Sequence, residues 1–273
     1  MKNKTDIFES CSRWYQTQSG QATLTKLDDL CAETLSEIFG YYAIETGVLS
    51  GQHSLLRHSR ITNDLSLIDK TRIKNYQYKT NKKAEGDQVE TLLSLISNNE
   101  QLPLATDNVD LVIGTHLLES SEDPHQVLRE IDRILVPEGQ CILIGFNPYA
   151  LSGLGKQIRS SISRNKSAFN LRSVNRVRDW FSLLGFELLD VQYMGLRPGF
   201  SNKKLFDGLS WLEDWGGIAG PMLGKLYVMH VKKQVVAMTP HKKVWRAPAV
   251  LSGGKVVINN TAQKVRRENY SNN

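Results

Sequence analysis

A loop with two glycines is the feature of this sequence most suited to chemistry. Residues Glu45-Thr46-Gly47-Val48-Leu49-Ser50-Gly51 follow a short apolar run and come before a segment with helical character. Glycines directly after a strand let the backbone approach a bound nucleotide-like ligand, because no side chain stands in the way. A glycine pair of this kind is also common in simple tight turns. The loop therefore predicts a ligand site only if the surrounding elements support one.

A second candidate is the run Gly114-Thr115-His116-Leu117-Leu118-Glu119, which follows an apolar segment. An imidazole titrates near neutral pH, so His116 could contact a ligand or orient a reacting group. The alternative is that His116 and Leu117 only cover a pocket. Glu119 is interpreted as the start of a helix, and no catalytic residue is assigned.

Neither a metal site nor a disulfide framework is predicted. The six histidines show no HxH or HxxxH pair, and Cys11, Cys31 and Cys141 lie far apart without a CxxC or CxxH neighbour. A reducing cytosol fits this cysteine usage. The N-terminus lacks the apolar region of a secretion signal, and no window approaches the ~20 apolar residues of a membrane span. A cytoplasmic protein without a transmembrane segment is predicted.

Residues 102–148 predict the elements that would position these groups, in the order strand, helix, strand. Asp110 opens a run that is apolar on both faces and ends at Gly114, which is typical of a strand inside a parallel sheet. A helix follows with Pro124 in its first turn. Pro137 and Gly139 stop it before the next apolar run, at residues 141–144. This unit predicts a right-handed crossover.

Other segments predict the remaining elements. Helical periodicity is present at residues 8–20, 24–39 and 173–184, with a further helix beginning near residue 52. Strands are predicted at residues 41–44, 73–78, 92–96, 186–194 and 225–232. Trp14 and Tyr15 on the first helix are expected in the core or closing a pocket.

Charge is distributed unevenly along the chain. Residues 1–150 carry 14 Lys/Arg and 21 Asp/Glu, a net charge of −7, whereas residues 151–273 carry 20 and 7, a net charge of +13. Seven of these basic residues lie between positions 156 and 178 without an intervening acidic residue. The pattern indicates an anionic partner such as nucleic acid, phospholipid, an acidic carrier protein or a phosphorylated metabolite. Solvated helix faces and a loose tail would give the same pattern.

The element order and the segments LPLATDNVDLVI and EIDRILVPEGQCILIGFNP resemble the class I S-adenosylmethionine-dependent methyltransferases, particularly their type-11 branch. The resemblance covers roughly residues 8–232. It is strongest to a poorly characterised bacterial group of methyltransferases with the turn Phe146-Asn147-Pro148 after the fifth strand and a basic C-terminal extension. It implies an α/β, Rossmann-like three-layer sandwich, whose seven-stranded sheet is mostly parallel with an antiparallel last strand.

The resemblance also implies a domain layout. Residues 1–239 would form the methyltransferase domain, with N-terminal helices at 1–40 and a cofactor-binding core at 41–148. A basic and aromatic substrate-side region at 149–224, which includes Phe206, Trp211 and Trp215, would precede a closing strand at 225–239. Residues 240–273 would be a basic irregular tail.

The implied cofactor is S-adenosylmethionine, and the resemblance assigns residues to it. Its first motif is an acidic residue followed by three alternating glycines, which Glu45, Gly47 and Gly51 match while Leu49 occupies the central glycine position. The acidic residue expected beside the adenine is replaced by Asn98, followed by Asn99, and an amide oxygen could still meet the adenine amine. No ribose-binding acid is identifiable after the predicted second strand at residues 73–78. His116 and Leu117 would border the sulfonium, and His116 is the first candidate if the acceptor needs deprotonation.

Three functional hypotheses follow. The first is a methyltransferase that acts on an unidentified, anionic or macromolecule-borne acceptor by in-line transfer. The second is a methyltransferase-like protein with weak or no catalysis that binds RNA, membrane or a protein partner through its basic half. A nicotinamide-dependent oxidoreductase is the third, but the loop starting at Gly47 does not supply the GxGxxG pattern. The sequence indicates neither the acceptor nor the oligomeric state.

Overall fold

The computed structural model describes residues 2–70, 93–150, 171–196, 221 and 224–234, with backbone alone for residues 2–7, 93 and 94. Two compact units, Met1–Val235 and Val236–Asn273, divide the chain, and the second lies outside the described residues. The predicted domain layout, with its boundary after residue 239, stays a prediction.

The described residues form one sheet of seven strands. The strands are β1 Tyr42–Gly47, β2 Asn63–Asp69, β3 Leu93–Ser97, β4 Val109–Thr115, β5 Leu135–Phe146, β6 Phe186–Met194 and β7 Leu226–Lys233. Their order is β3-β2-β1-β4-β5-β7-β6. Strands β1 to β5 pair in parallel, and β7 runs antiparallel between β5 and β6. The predicted α/β fold, with its mostly parallel sheet and antiparallel last strand, is confirmed.

Helices cover both faces of this sheet. They are α1 Lys2–Tyr15, α2 Gln18–Ser36, α3 Leu117–Ser120, α4 Pro124–Ile134 and α5 Val174–Leu183, with a 3₁₀ turn at Leu56–His58. One buried cluster lies between α1, α2 and the sheet, and a second lies between the sheet, α4 and α5. Apolar burial on both faces stabilises a sheet whose strands are themselves largely apolar. The Rossmann-like three-layer arrangement is therefore confirmed.

The predicted order of strand, helix and strand at residues 102–148 is confirmed, and the two strands pair in parallel. Asp123 caps α4, because its carboxylate accepts hydrogen bonds from the backbone N–H groups of His125 and Gln126, and Pro124 occupies the first turn. Strand β5 begins directly after α4, earlier than predicted, because Leu135 pairs with Val109 before the bend that contains Gly139.

The N-terminal helices differ from their predicted bounds. The predicted helix at residues 8–20 is interrupted after Tyr15, and α2 starts at Gln18 with the Thr17 hydroxyl accepting a hydrogen bond from the Gly20 N–H. A Cβ added at Gly20 would lie 2.2 Å from the Trp14 carbonyl oxygen. This close approach lets α1 fold back sharply on α2, and it explains the glycine at this position.

The second strand and the helix near residue 52 were predicted wrongly. Strand β2 is Asn63–Asp69, which pairs with both β1 and β3, whereas the predicted strand at 73–78 lies outside the described residues. In place of a helix from residue 52, a single 3₁₀ turn forms at Leu56–His58. The Glu45 carboxylate accepts hydrogen bonds from the Ser54 hydroxyl and the Leu55 N–H, so the turn starts only after these residues.

Several predicted features lie outside the described residues. They are the basic positions between 156 and 166, the aromatic insertion with Phe206, Trp211 and Trp215, and the tail from residue 240. None of the helices in the described ranges combines the length and apolar character that crossing a membrane requires.

Candidate functional site at the carboxyl edge of the sheet

The carboxyl ends of β1 and β4 lie side by side at the point where the strand order reverses. Strands β2 and β3 continue from β1 in one direction, and β4 and β5 continue in the other. In open α/β sheets a crevice forms outside the carboxyl ends at such a switch point, and ligands bind there. The loops after Gly47 and Thr115, which carry most of the predicted site residues, therefore meet at the expected place.

The glycine loop packs tightly on the end of β4. Gly47 has a φ of +111°, and a Cβ added there would lie 1.9 Å from the Thr115 carbonyl oxygen. The same oxygen accepts the Val48 N–H at 2.9 Å, and the Thr115 hydroxyl accepts the Leu49 N–H at 3.0 Å. The close approach of the chain to Thr115 thus requires a glycine at position 47. Gly51, with a φ of +73°, turns the chain at the end of the loop.

Leu49, which occupies the position of the missing glycine, is a core residue. Its side chain is 3% exposed and belongs to the buried cluster beneath α1 and α2 that includes Phe8, Trp14 and Phe146. The departure from the glycine pattern therefore adds apolar packing between the loop and the N-terminal helices.

Glu45 supports the turn after the loop from a fully buried position. Its Oε2 accepts hydrogen bonds from the Ser54 hydroxyl at 2.8 Å and from the Leu55 N–H at 3.2 Å. Its Oε1 is buried and has no hydrogen-bond partner among the described residues. Burial raises the pKa of the Glu45 carboxyl to about 7, because a charged carboxylate is poorly solvated there.

Asp69 is a candidate site residue that sequence reasoning missed. It ends β2, is 2% exposed, and lies beside Ser97 of β3 in the strand register. The Ser97 hydroxyl is buried and has no hydrogen-bond partner among the described residues. The resemblance implied an acid after the second strand, and the run from Leu65 to Asp69, in which three of the first four side chains are apolar and the last residue is acidic, was the signal that could have located it.

Asn98 and Asn99 lie directly after β3 but point their amide oxygens at the protein. The Asn98 Oδ1 accepts the Glu100 N–H at 3.3 Å, so this side chain stabilises its own turn. Asn99 is buried, and its Oδ1 accepts the Thr46 hydroxyl at 2.9 Å. This bond joins the end of β1 to the loop after β3. The Asn99 Nδ2 group, which is a hydrogen-bond donor, takes no part in these two bonds.

His116 lies on the β4 side of the switch point, with a left-handed backbone (φ +54°). Its ring stacks on Phe146 at 4.1 Å between centroids, and its Nε2 is 2.7 Å from the Tyr15 hydroxyl. Its Nδ1 is buried, 3.5 Å from Oε1 of Glu119. Glu119, which lies in α3 as predicted, also accepts the Phe146 N–H at 2.7 Å.

The structure separates Leu117 from these polar groups. Leu117 is buried in the cluster on the α4 side, and its Cδ1 would lie 2.7 Å from a Cβ added at Gly114. Asn147 forms a turn after β5, because its Oδ1 accepts the Tyr149 N–H while its Nδ2 donates to the carbonyl oxygens of Pro221 and Gly224. The turn interpretation of this segment is therefore correct.

The residues present at this edge fit an adenosyl cofactor. A buried carboxylate at the end of β2 suits a ribose diol, a carboxamide after β3 suits an adenine, and the backbone of residues 47–51 lies between them and β4. The orphaned hydroxyl of Ser97 beside Asp69 is a further polar group suited to such a ligand. In the described part of the chain, no His, Cys, Asp and Glu side chains are grouped in a way that could hold a metal ion.

Comparisons with known proteins agree with this geometry. A family model described as a methyltransferase domain matches residues 55–143. Uncharacterized protein YafS of Escherichia coli K12 is 31% identical over 156 residues, which cover 55% of this chain and 59% of that relative. The match thus spans less than two thirds of the relative's length.

Solved structures share the fold at low identity. An S-adenosylmethionine-dependent methyltransferase of Thermotoga maritima superposes with a TM-score of 0.56 and 17% identity, over 86% of this chain and 100% of that one. A Haloferax volcanii protein solved in complex with the Trm112 methyltransferase activator gives 0.55 and 16%, over 83% and 97%.

Residues 55–143 thus match the type-11 methyltransferase domain that the sequence resemblance predicted, and the sheet shares the fold of solved S-adenosylmethionine-dependent methyltransferases. S-adenosylmethionine is the cofactor that this match supports.

Proposed function

We propose that this protein transfers a methyl group to an acceptor that is anionic or is carried on an anionic macromolecule. The observation that carries the proposal is the carboxyl edge at the β1–β4 switch point, where the glycine loop, Asp69 and the Asn98–Asn99 turn converge. The bound cofactor supplies an electrophilic methyl group on a sulfonium. The protein's task is to hold the acceptor in line with that methyl group and to exclude water.

Each part of the edge has a proposed role in binding the cofactor. The Asp69 carboxylate accepts hydrogen bonds from the ribose hydroxyls, and the Asn98–Asn99 turn meets the adenine. The backbone of residues 47–51, supported by Glu45, borders the methionine portion. His116 lies on the acceptor side, while Leu117 shapes this region from the core.

Calorimetric titration with S-adenosylhomocysteine tests this site. We expect one molecule to bind per chain with micromolar affinity, and Asp69→Asn to weaken binding roughly 10- to 100-fold, because hydrogen bonds to a carboxylate contribute about 1.5–3 kcal/mol. Asp64→Asn is the matched control, since Asp64 lies in the amino-terminal half of the same strand. A well-folded wild-type chain that binds no S-adenosylhomocysteine contradicts the proposal.

The anionic acceptor is proposed from the charge of the C-terminal half. Arg176 and Arg178 of α5 are exposed, and the guanidinium of Arg176 lies 5.9 Å from the centre of the Trp180 ring. A Lys/Arg→Ala series across residues 156–178 should weaken binding of RNA or anionic vesicles and flatten its salt dependence if this surface meets an anion. Affinity that does not depend on these residues means a solvated basic face. The cytoplasmic location stays a prediction.

The second candidate function is a methyltransferase-like protein that binds a partner without catalysis. The observation that favours it is the packing of Leu49 against α1 in place of the usual glycine. The titration separates the two functions, because a chain that binds RNA or vesicles but no S-adenosylhomocysteine fits only the second.

A further inference from the structure

We propose that Tyr15, His116 and Glu119 form a proton relay that deprotonates the methyl acceptor. The inference rests on the proposed function and adds the groups that take up the proton. The three side chains come from α1, the loop after β4 and α3, and they meet around one imidazole ring: the Tyr15 hydroxyl is 2.7 Å from Nε2, and Glu119 Oε1 is 3.5 Å from Nδ1, which has no hydrogen-bond partner among the described residues. All three are nearly fully buried.

The geometry sets the direction of the relay. Burial, followed by nearby Cys11 and Glu119, raises the pKa of the Tyr15 hydroxyl well above its usual value, so the phenol keeps its proton. The Tyr15 O–H therefore donates to His116 Nε2 over 2.7 Å. A neutral imidazole that accepts at Nε2 carries its proton on Nδ1, which lies 3.5 Å from Glu119 Oε1.

Glu119 is the carboxyl group among the titratable side chains that face this network in the described residues. Cys11 of α1 and Tyr227 of β7 also lie nearby, but burial raises the pKa of each well above its usual value, so both stay neutral. The Glu119 Oε1 is oriented by the Phe146 N–H at 2.7 Å. The Glu119 carboxyl group thus lies on the side of the ring opposite to Nε2, the atom that takes up the proton in this relay.

The relay lies where an acceptor would meet the cofactor. His116 directly follows β4 at the switch point, and α1 packs against α3, which begins at the next residue. The Ser12 hydroxyl donates to Gln52 Oε1 just after the glycine loop, and Tyr15 contacts His116 after β4. Helix α1 thus holds the phenol against the loop after β4, next to the switch point.

The proton balance of the step is complete. As the acceptor's lone pair forms its bond to the methyl carbon and the carbon–sulfur bond breaks, the acceptor proton passes to the Tyr15 oxygen. The Tyr15 proton moves to His116 Nε2. The resulting imidazolium is stabilised by Glu119, and its extra proton is later released to solvent. In this relay the acceptor is assigned to the Tyr15 hydroxyl, which makes Tyr15 the catalytic residue, whereas Glu119 acts through His116 as a positioning residue.

Transfer of tritium from methyl-labelled S-adenosylmethionine tests the relay, with an extract of the protein's own cells lacking its gene as the acceptor source. We expect Tyr15→Phe to lower the rate of label transfer, measured at saturating S-adenosylmethionine and extract, about 100-fold. Glu119→Gln should lower it about 10-fold and move the acid limb of the pH profile about one unit lower, because the imidazolium loses its counter-charge. Both variants should bind S-adenosylhomocysteine within threefold of wild type.

Matched controls are Tyr193→Phe, on β6, and Glu130→Gln, which removes a carboxylate that likewise accepts a backbone N–H. Neither should alter the pH profile. If wild type transfers no label, the proposed function fails and the relay with it. If wild type transfers label and Tyr15→Phe behaves like Tyr193→Phe, the relay is wrong although the proposed function stands.

Nitrogen-15 spectra of His116 in the wild-type chain test the same inference without a variant. The relay requires a protonated Nδ1 and an unprotonated Nε2 above neutral pH. The opposite tautomer would overturn it, even if both variants failed to fold.

Discussion

On the β2–β3 side of the carboxyl edge the polar groups stand at the ends of strands, whereas on the β4 side they come from a short helix and from α1. Asp69 and Ser97 are neighbours by strand register. Tyr15 and His116 are 101 residues apart and meet only because α1 folds over the sheet. The first side follows from the sheet, and the second depends on how the N-terminal helices pack.

The two sides differ in how well the positions of their polar groups tolerate substitutions elsewhere in the molecule. A group at a strand end is held by many ladder hydrogen bonds, so its position survives changes elsewhere. A group brought by α1 depends on the apolar cluster that contains Leu49 and Trp14. We therefore expect changes at the junction of the two sides to have the largest effects, and changes outside it to have the smallest.

The largest effect is expected for Gly47→Ala, at the junction itself. The added Cβ combines a left-handed backbone with an overlap at the Thr115 carbonyl, which together cost about 4 kcal/mol in unfolding free energy. Gly185→Ala is the control, because it shares a positive φ but meets no atom within 4 Å, and it should cost about 1 kcal/mol. Equal losses in urea unfolding would show that the contact with Thr115 does not matter.

Leu49→Ala tests whether α1 depends on the altered glycine loop. Removal of the buried leucine should lower the unfolding free energy, measured in urea, by about 3 kcal/mol. Leu183→Ala, at an exposed position, should lower it by less than about 0.5 kcal/mol. Affinity for S-adenosylhomocysteine should not increase. Tighter cofactor binding in Leu49→Ala would mean that this side chain narrows the crevice.

The buried carboxyl group of Glu45 should make the stability of the protein depend on pH. Its pKa is raised from 4.5 to about 7 in the fold, so the unfolded chain ionises first and stability falls as pH rises from about 4.5 to 7. Relative to Glu45→Gln, the wild type should lose about 3 kcal/mol of unfolding free energy over this range. A constant difference between the two proteins at all pH values would show that the carboxyl titrates normally.

The smallest effect is expected for Glu130→Gln, on α4 away from the junction. The Glu130 carboxylate accepts the Leu102 N–H at 2.9 Å and pairs with Arg133, which holds the loop between β3 and β4. Weakening these bonds should cost about 1 kcal/mol and change cofactor affinity less than twofold. A large loss of affinity would mean that this loop, and not the strand ends, positions the Asn98–Asn99 turn.

The sequence predicted those parts of the fold whose signals are local. Pro124 marks the start of α4, and the apolar run at residues 141–144 identifies β5. Strand β2 was missed because Ser66 interrupts a short apolar run, while residues 73–78 have the tyrosines and isoleucine typical of strands. Because β2 was missed, Asp69 at its end was not identified, and the predicted site lacked a carboxylate for the ribose.

The remaining part of the site could not be read from local patterns. The sequence identified His116 but treated Tyr15 as a core or pocket-closing residue, and Glu119 only as the start of a helix. Their contacts depend on the close packing of α1 against α2 at Gly20, and the hydrophobic periodicity of the sequence does not indicate this packing. Gly47 was identified correctly, but the atoms it approaches belong to Thr115.

Hydrogen exchange of the full chain with and without S-adenosylhomocysteine tests the central claim that the cofactor binds at the β1–β4 switch point. We predict slower amide exchange in residues 45–51, 97–101 and 115–120 when the ligand is bound, with no change in β6 Phe186–Met194. Protection confined to other segments, or binding without protection at this edge, would contradict the account.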